Sequence, residues 1–587
     1  MPGEAACRNG VLSRGRARSW VGGVVLAVLC AIVYVPGLWT TPVIDRDEAR
    51  FAQASRQMLE SGDYVVPRVQ ERARLNKPPL VYWLQSGSVW VQTGGRVERD
   101  AIWMYRVPSV VSAMAAVLLT WRLGRSMFDA RVGWLAGAML AVCPLVVFDA
   151  HQARADQLLL ATTTLAMLAA WHAVSRAWEG REVGWWRVCG MWAAVGLGVL
   201  AKGPITPLIV VLAVVSMGLV GRRWRWIGGL RPVVGLVIVT AMVGPWVYLV
   251  ASRVGFGDYV RIIMDESVGR VGGSKEGHWG PPGMHLVLLA ALFWPGSMLT
   301  LSGLAAARDR GLRCEADDAG AGRNPAVRAW AWVMGQRPGR TREFFLLMWL
   351  VPAWVFFELF GAKLAHYTMP LYPAVALITA RHVLAVGRRG PRANVGTWIW
   401  AGIGGSALML VAACGLVYQD AAGGVYSGWP LGIGIAGLGF GLVFAAVTWV
   451  RQGVVVRGHL IGIGAAACLA VAAFASLRPV LPGRETSSII AALDRVAPEW
   501  RESESPLISE HREDSMVFAT RGRVVRVDPG TAQRLVSEGG AGGPGLMIVR
   551  DDTQVLAGTV IARVVAEPFR EHGWLIVRRD ASSAAGQ

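Results

Sequence analysis

Charge is scarce in this 587-residue sequence: Asp, Glu, Lys and Arg make up 17% of it, against 53% hydrophobic residues. A single soluble core is excluded as the destination of so much apolar sequence, and the membrane is its natural solvent. Cysteine is sparse as well. Cys7, Cys30, Cys143, Cys189, Cys314, Cys414 and Cys468 form no CxxC pair, and none falls in the last 110 residues. No disulfide framework or zinc–thiolate site is indicated. Lysine is the rarest charged type, because 55 of the 59 basic residues are Arg and only Lys77, Lys202, Lys275 and Lys363 are Lys. The glycine-rich run Gly402 to Gly405 lacks the strand-to-helix setting of a nucleotide fold, which disfavours a nucleotide-sugar donor and suits close helix packing.

What is abundant is apolar sequence in long runs. A helical span needs about 20 apolar residues, and thirteen runs near that length recur: 20–38, 106–122, 132–149, 156–174, 185–201, 204–221, 232–252, 283–303, 343–360, 367–386, 396–418, 430–450 and 458–476. The first is read as a retained anchor, since no Ala-x-Ala cleavage site follows it. The net charge of +19 lies wholly in residues 1–477, because residues 478–587 hold 14 Arg and 15 acidic residues. That excess belongs to the membrane half and does not mark a nucleic-acid surface.

With the N-terminus inside, the Arg clusters 122/125/131, 176/181/187, 222/223/225, 308–342, 388/389/392 and 451/457 all fall in cytoplasmic loops. Thirteen crossings then place outside a first loop over 39–105, a middle loop over 253–282 and residues 478–587. The expected architecture is a polytopic α-helical membrane domain over 1–477 and a small mixed α/β extracytoplasmic domain over 478–587. In the latter a helix is expected from Ser487 to Val496, and strands at MVFAT, RVVRV, LMIV, VIARVV and WLIV. His511, Glu513 and Asp514 read there as an exposed polar turn.

The first outer loop is patterned like folded structure. Asp47 to Glu60 reads as a helix with an acidic start, Phe51, Ala54 and Met58 on one face, and a stop at Ser61-Gly62. Leu80 to Val91 reads as an interfacial helix rich in Trp and Tyr. The segment Asp45-Arg46-Asp47-Glu48-Ala49-Arg50 has two readings. It can hold a metal or act as a base, with Arg50 pairing a phosphate; or it is an acidic helix start that complements the dipole. All four lysines lie on the expected outer side, as compact ammonium partners for a phosphate would. Asp156, with Arg154, stands at the outer mouths of two spans, where charge is expensive unless paired or functional.

The order DRDEARFAQASRQMLESGDYVVPR, LNKPPLVYWL, ARADQLL, GR and GHWGPP, then AKLAHYTMPLYPA resembles the bacterial aminoarabinose transferases. These modify lipid A and are related to the protein O-mannosyltransferases. The resemblance implies a GT-C membrane glycosyltransferase of the inner membrane that uses an undecaprenyl-phosphate or similar sugar donor and a lipid A-like glycolipid or protein acceptor. It implies Asp47 as the catalytic residue, with Glu48 beside it and Asp156 as a second acidic residue. Arg50, Lys77, Arg270, Lys363 and Tyr367 would contact the donor phosphate, and His278 matches a histidine that helps hold zinc. Where those enzymes carry Glu before the Lys-Pro pair, this sequence has Asn76, a much poorer zinc ligand. Asp45-x-Asp47 offers a divalent metal an alternative site. The competing function class is a transporter or flippase of lipid-linked sugars, for which many helices and membrane charges would also serve.

Overall fold

The computed structural model describes residues 20–44, 46–267, 280–312, 341–359, 361–386, 454–476, 484–503, 505, 507–537, 545–556, 558–564 and 572–579. The apolar runs at 396–418 and 430–450 lie outside these residues, as do Lys275 and Gly402 to Gly405.

The chain is a mostly helical membrane protein. Helix α1 (Trp20–Tyr34) enters a loop that carries α2 (Asp47–Ser61), the short hairpin β1 (Arg68–Val69) and β2 (Arg72–Ala73), and α3 (Leu80–Thr93). Both loop helices fall within a few residues of where the sequence predicts them. Gly62 ends α2 in the left-handed conformation, φ 71°, which glycine adopts without strain.

The bundle proper begins with α4 (Ile102–Met127), α5 (Ala130–Ala141), α6 (Pro144–Ala150) and α7 (Asp156–Trp178). It continues through α8 (Trp185–Lys202), α9 (Ile205–Val220) and α10 (Pro232–Val254). Helix α7 lies inside, 78% buried along its apolar window and packed on α4 and α8. The span containing α10 is only 17% buried and shows Val233, Leu236, Val237 and Leu249 outward, as a lipid-facing helix must. Among the described residues, five helices are long and apolar enough to cross a membrane, or up to seven if each bent pair counts once. One such pair is α5 and α6, bent by 58° where Val142-Cys143 interrupts the helix before Pro144. The run expected over 283–303 is bent by 117° between Met284–Leu292 and Gly296–Gly311, so it is no straight span.

Small residues set the closest approaches. A Cβ on Gly133 would lie 2.4 Å from the Trp121 carbonyl oxygen, which fixes how tightly α4 and α5 pack.

The C-terminal domain holds a five-stranded mixed sheet in the order β4-β3-β5-β7-β6, where β3 is Ile508–Ser509, β4 Val525–Arg526, β5 Gly545–Arg550, β6 Thr559–Val564 and β7 Trp574–Arg579. β3 pairs parallel with β4 and β5, and β7 pairs antiparallel with β5 and β6. Its first helix spans Arg484–Val496, close to the expected Ser487–Val496. The MVFAT run is not a strand. It lies in the helix Asp514–Ala519, because a short apolar run buried on all sides fits either period and here packs on α2 and the helix Arg484–Val496. His511 and Asp514 are 4% and 7% exposed, so the expected exposed turn is a buried junction.

That junction is with α2. Arg50 Nε meets Asp514 at 2.7 Å. Arg56 Nη1 donates to the Phe518 carbonyl at 2.7 Å, with its guanidinium 3.9 Å from the Phe518 ring centroid. Arg521 pairs with Asp100 at 2.7 Å and Glu60 at 2.8 Å.

Candidate active site

Asp47 and Glu48 are neighbours in the first turn of α2, and about 100° of helical rotation sends their side chains to different partners. Glu48 is 1% exposed and fully engaged. Its Oε1 accepts from Arg106 Nε at 2.8 Å and Ala153 N at 2.9 Å; its Oε2 accepts from Arg106 Nη2 at 3.0 Å and Ile44 N at 2.7 Å. Arg106 Nη1 donates to the carbonyls of Leu38 and Thr41, and Nη2 also donates to that of Pro42, so all five guanidinium N–H groups are used. This buried pair ties the end of the first span, α2 and α4 into one unit. Arg46, just before α2, has φ 63°, a left-handed value that costs a non-glycine residue roughly 1–3 kcal/mol. The Ile44–Glu48 bond spans and fixes that turn.

Asp47 faces the other way and its side chain is 47% exposed. Its Oδ1 lies 3.3 Å from Arg74 Nη2, and its Oδ2 3.9 Å from Arg154 Nη2. Burial raises the Asp47 pKa, but Arg154 and Arg74 lower it further, and the carboxyl sits below its ordinary range. Arg74 follows the β1–β2 hairpin, lies over the Phe51 ring at 4.8 Å and donates to the Tyr82 hydroxyl at 3.2 Å. Packing of α2 on α3 therefore aims it.

Behind Asp47 is a second, buried layer. Arg154 Nη2 lies 3.2 Å from Asp156 Oδ2, and Nη1 3.5 Å from Asp149 Oδ1. Asp156 also ion-pairs with Lys202, the last residue of α8. His366 Nε2 accepts from Arg154 at 3.2 Å and lies 3.5 Å from Asp156 Oδ1. The bend between α5 and α6 carries the 149–156 segment into this position. Three carboxylates thus meet Arg74, Arg154 and Lys202 at helix ends, where one face of the bundle gives way to the first loop.

Asp47 and Asp156 come together through Arg154, as neighbours in one cluster. Arg50 is turned toward Asp514. Lys363 is 4% exposed and donates to the Gly280 carbonyl at 3.1 Å. Tyr367 packs edge-on to His366, with ring centroids 5.3 Å apart. Lys77 is half-buried after β2. Asp45, Arg270 and His278 fall outside the described residues. Arg74, His366 and Asp149 are not among the expected site residues, and Lys202, expected as one of four phosphate-facing lysines, pairs with Asp156. The rarity of lysine pointed at Lys202, and the Arg-x-Asp spacing at Arg154; nothing in the sequence singled out Arg74.

A divalent cation finds a poor place at Asp47, since the described cations Arg74, Arg154 and Lys202 already neutralise Asp47 and Asp156 and would repel it. Among the described residues, groups able to hold a metal lie in the C-terminal domain: Glu485 with His511 and Glu513, and Asp551 with Asp552 and His572. Asn76, where a zinc-binding carboxylate was the alternative, has a buried Oδ1 with no hydrogen-bond partner among the described residues.

Residues 76–249 match the family model for dolichyl-phosphate-mannose-protein mannosyltransferases. The chain is 28% identical over 376 residues to the undecaprenyl phosphate-alpha-4-amino-4-deoxy-L-arabinose arabinosyl transferase 2 of Sodalis glossinidius, covering 63% of this chain and 61% of that one. It is 29% identical over 345 residues to the corresponding transferase of Pseudomonas aeruginosa, covering 58% and 55%. The match therefore spans less than two thirds of those relatives. The crystal structure of ArnT from Cupriavidus metallidurans bound to undecaprenyl phosphate superimposes with a TM-score of 0.68 at 21% identity, covering 97% of this chain and 99% of that one. The chain is similar in sequence to the bacterial aminoarabinose transferases and has the GT-C membrane fold of that ArnT structure.

Proposed function

We propose that this protein is an inner-membrane glycosyltransferase that moves a sugar from a polyprenyl-phosphate donor to a cell-envelope acceptor, a lipid A-like glycolipid or a protein. The observation that carries the reading is the half-exposed Asp47 carboxylate backed by Arg74, Arg154 and the Asp156–Lys202 pair at the membrane surface. The relatives named for aminoarabinose transfer support this donor class. In the full topology thirteen crossings put the N-terminus in the cytoplasm, and this face and residues 478–587 outside.

A polyprenyl phosphate leaves only if its growing charge is met, and cations fixed at headgroup level meet it without a nucleotide-binding domain. Arg50, Lys77, Arg270, Lys363 and Tyr367 are assigned to that phosphate. Lys363 is well suited, because it donates to the Gly280 carbonyl and an ammonium has three N–H groups. Asp47 orients the acceptor on the opposite side. Its lowered pKa keeps it ionised and weakly basic, which favours an acceptor oxygen that is already ionised, such as a phosphate, over a neutral hydroxyl. Glu48 and Arg106 hold this arrangement from behind. The described residues at Asp47 do not suit a divalent metal, and no step is assigned to one.

The test is transfer of labelled aminoarabinose from its undecaprenyl-phosphate donor to lipid A by purified, lipid-reconstituted protein. Asp47→Asn should lower the rate at least about a hundredfold, the scale of one lost polar group positioned at the reacting atoms. Equal transfer by the two proteins would remove Asp47 from the chemistry.

A further inference from the structure

The bundle carries a polar cavity at the end away from the candidate site. Asp156 opens α7 beside the candidate site, and Arg176 lies twenty residues on, roughly 30 Å away at 1.5 Å per residue. The segment that begins with His366 at the site reaches Arg381 in the same way. There Arg176, Arg181, Arg342 and Arg381 line a cavity of about 540 Å³, with Glu179 and Glu343 as its acidic residues.

The acidic residues are already engaged. Glu179 ion-pairs with Arg181. Glu343 is 2% exposed and sits 3.2 Å from Arg310 Nε and 3.9 Å from Arg381 Nε. Among the described residues, neither Arg176 nor Arg342 has a carboxylate within ion-pair distance; Arg176 Nε donates to the Glu182 carbonyl at 2.9 Å. The cavity therefore carries a net positive charge on fork-shaped donors, the arrangement that suits a phosphate group. Its walls add Phe128, 5.5 Å from the Arg381 guanidinium, and Trp171.

Position decides the source of that phosphate. The cavity lies where α7 ends at Trp178 and where the helix Thr341–Leu359 turns from Arg342-Glu343 into Phe344-Phe345-Leu346, the level at which apolar spans meet charged loops. A ligand with a phosphate at this level and a tail among the helices uses both surfaces, whereas a soluble anion uses one. We propose that this cavity binds the phosphodiester headgroup of an anionic phospholipid. It lies at the opposite end of the bundle from the transfer site and stands whether or not the chain transfers sugar.

The test uses the full chain in neutral detergent, titrated with phosphatidylglycerol, phosphatidylcholine or inorganic phosphate and followed by thermal stability and by mass spectrometry of retained lipid. Phosphatidylglycerol should bind and stabilise, phosphatidylcholine should not, and Arg176→Gln/Arg342→Gln should weaken binding at least about tenfold. Arg222→Gln/Arg223→Gln removes the same charge from the same end, since Arg223 lies over the Trp178 ring, and should leave binding within about twofold. Arg342→Gln alone, at an exposed side chain, serves if the double variant misfolds, and should weaken binding severalfold. Equal loss in the Arg222/Arg223 variant, or equal stabilisation by inorganic phosphate and phosphatidylglycerol, overturns the proposal.

Discussion

Replacing Glu48 by Gln and Asp47 by Asn makes the same one-atom change at adjacent residues, yet the structure assigns the two opposite consequences. Glu48 neutralises Arg106, and both side chains are fully buried. In Glu48→Gln the guanidinium keeps its three backbone carbonyls but loses its counter-ion. One carboxylate oxygen of Glu48 would also be replaced by an NH2 group facing N–H donors from Arg106 and either Ile44 or Ala153. Removing one partner of a buried pair costs about 3–5 kcal/mol. Asp47, 47% exposed and touching its cations at 3.3 and 3.9 Å, contributes about 1 kcal/mol or less as a pair. Glu48→Gln should therefore lower the thermal midpoint in detergent by several degrees and reduce yield, with transfer per folded molecule falling modestly. Asp47→Asn should keep the midpoint within about a degree and lose transfer. Thermal unfolding and labelled transfer on the same preparations separate the two. A Glu48→Gln protein of native stability with no transfer would refute the assignment and return Glu48 to the chemistry.

The Asp47 carboxyl lies below its ordinary value, so its ion pairs contribute fully above the unfolded pKa of about 4 and are lost only as pH falls through the lower folded value. Transfer should show no acid limb between pH 8 and 5; a limb with its midpoint near 6 would contradict a carboxylate held low by Arg154 and Arg74. Arg56→Ala removes a contact to Asp100 at 2.7 Å, another to the Phe518 carbonyl and a stacked ring, and should loosen the C-terminal domain from α2. Limited proteolysis should cut that variant at least about tenfold faster, from a loss of roughly 2 kcal/mol; unchanged cleavage would mean the domain is held elsewhere. Gly133→Ala places a methyl 2.4 Å from a backbone oxygen that cannot swing aside, and should destabilise by about 1–3 kcal/mol, read as a lower thermal midpoint than Gly190→Ala, where a methyl on α8 meets open space.

Hydropathy in the sequence determined that this chain is a membrane protein, because apolar runs of span length have no other solvent. It also determined the loop helices Asp47–Ser61 and Leu80–Thr93 to within a few residues, since an acidic start, a 3.6-residue apolar period and Gly62 are all local signals. The motif order pointed to the aminoarabinose transferases, to which the chain is similar in sequence and fold, and to Asp47 as a candidate. Tertiary structure alone decided what each charge does. Asp47 and Glu48 are equivalent in a sequence, and only the position of Arg106 on α4, 58 residues beyond Glu48, makes Glu48 a buried tie. Arg50 reads locally as a phosphate ligand, and only the fold brings Asp514 to it as a partner. Arg74, Lys202 and His366 reach the site from a hairpin, the end of one helix and the start of another, and no periodicity links such positions. MVFAT became a helix because burial on every side leaves no period to read, so packing chose. Local pattern fixes what an element is, while the partner of a charge is a matter of distance, and distance belongs to the fold.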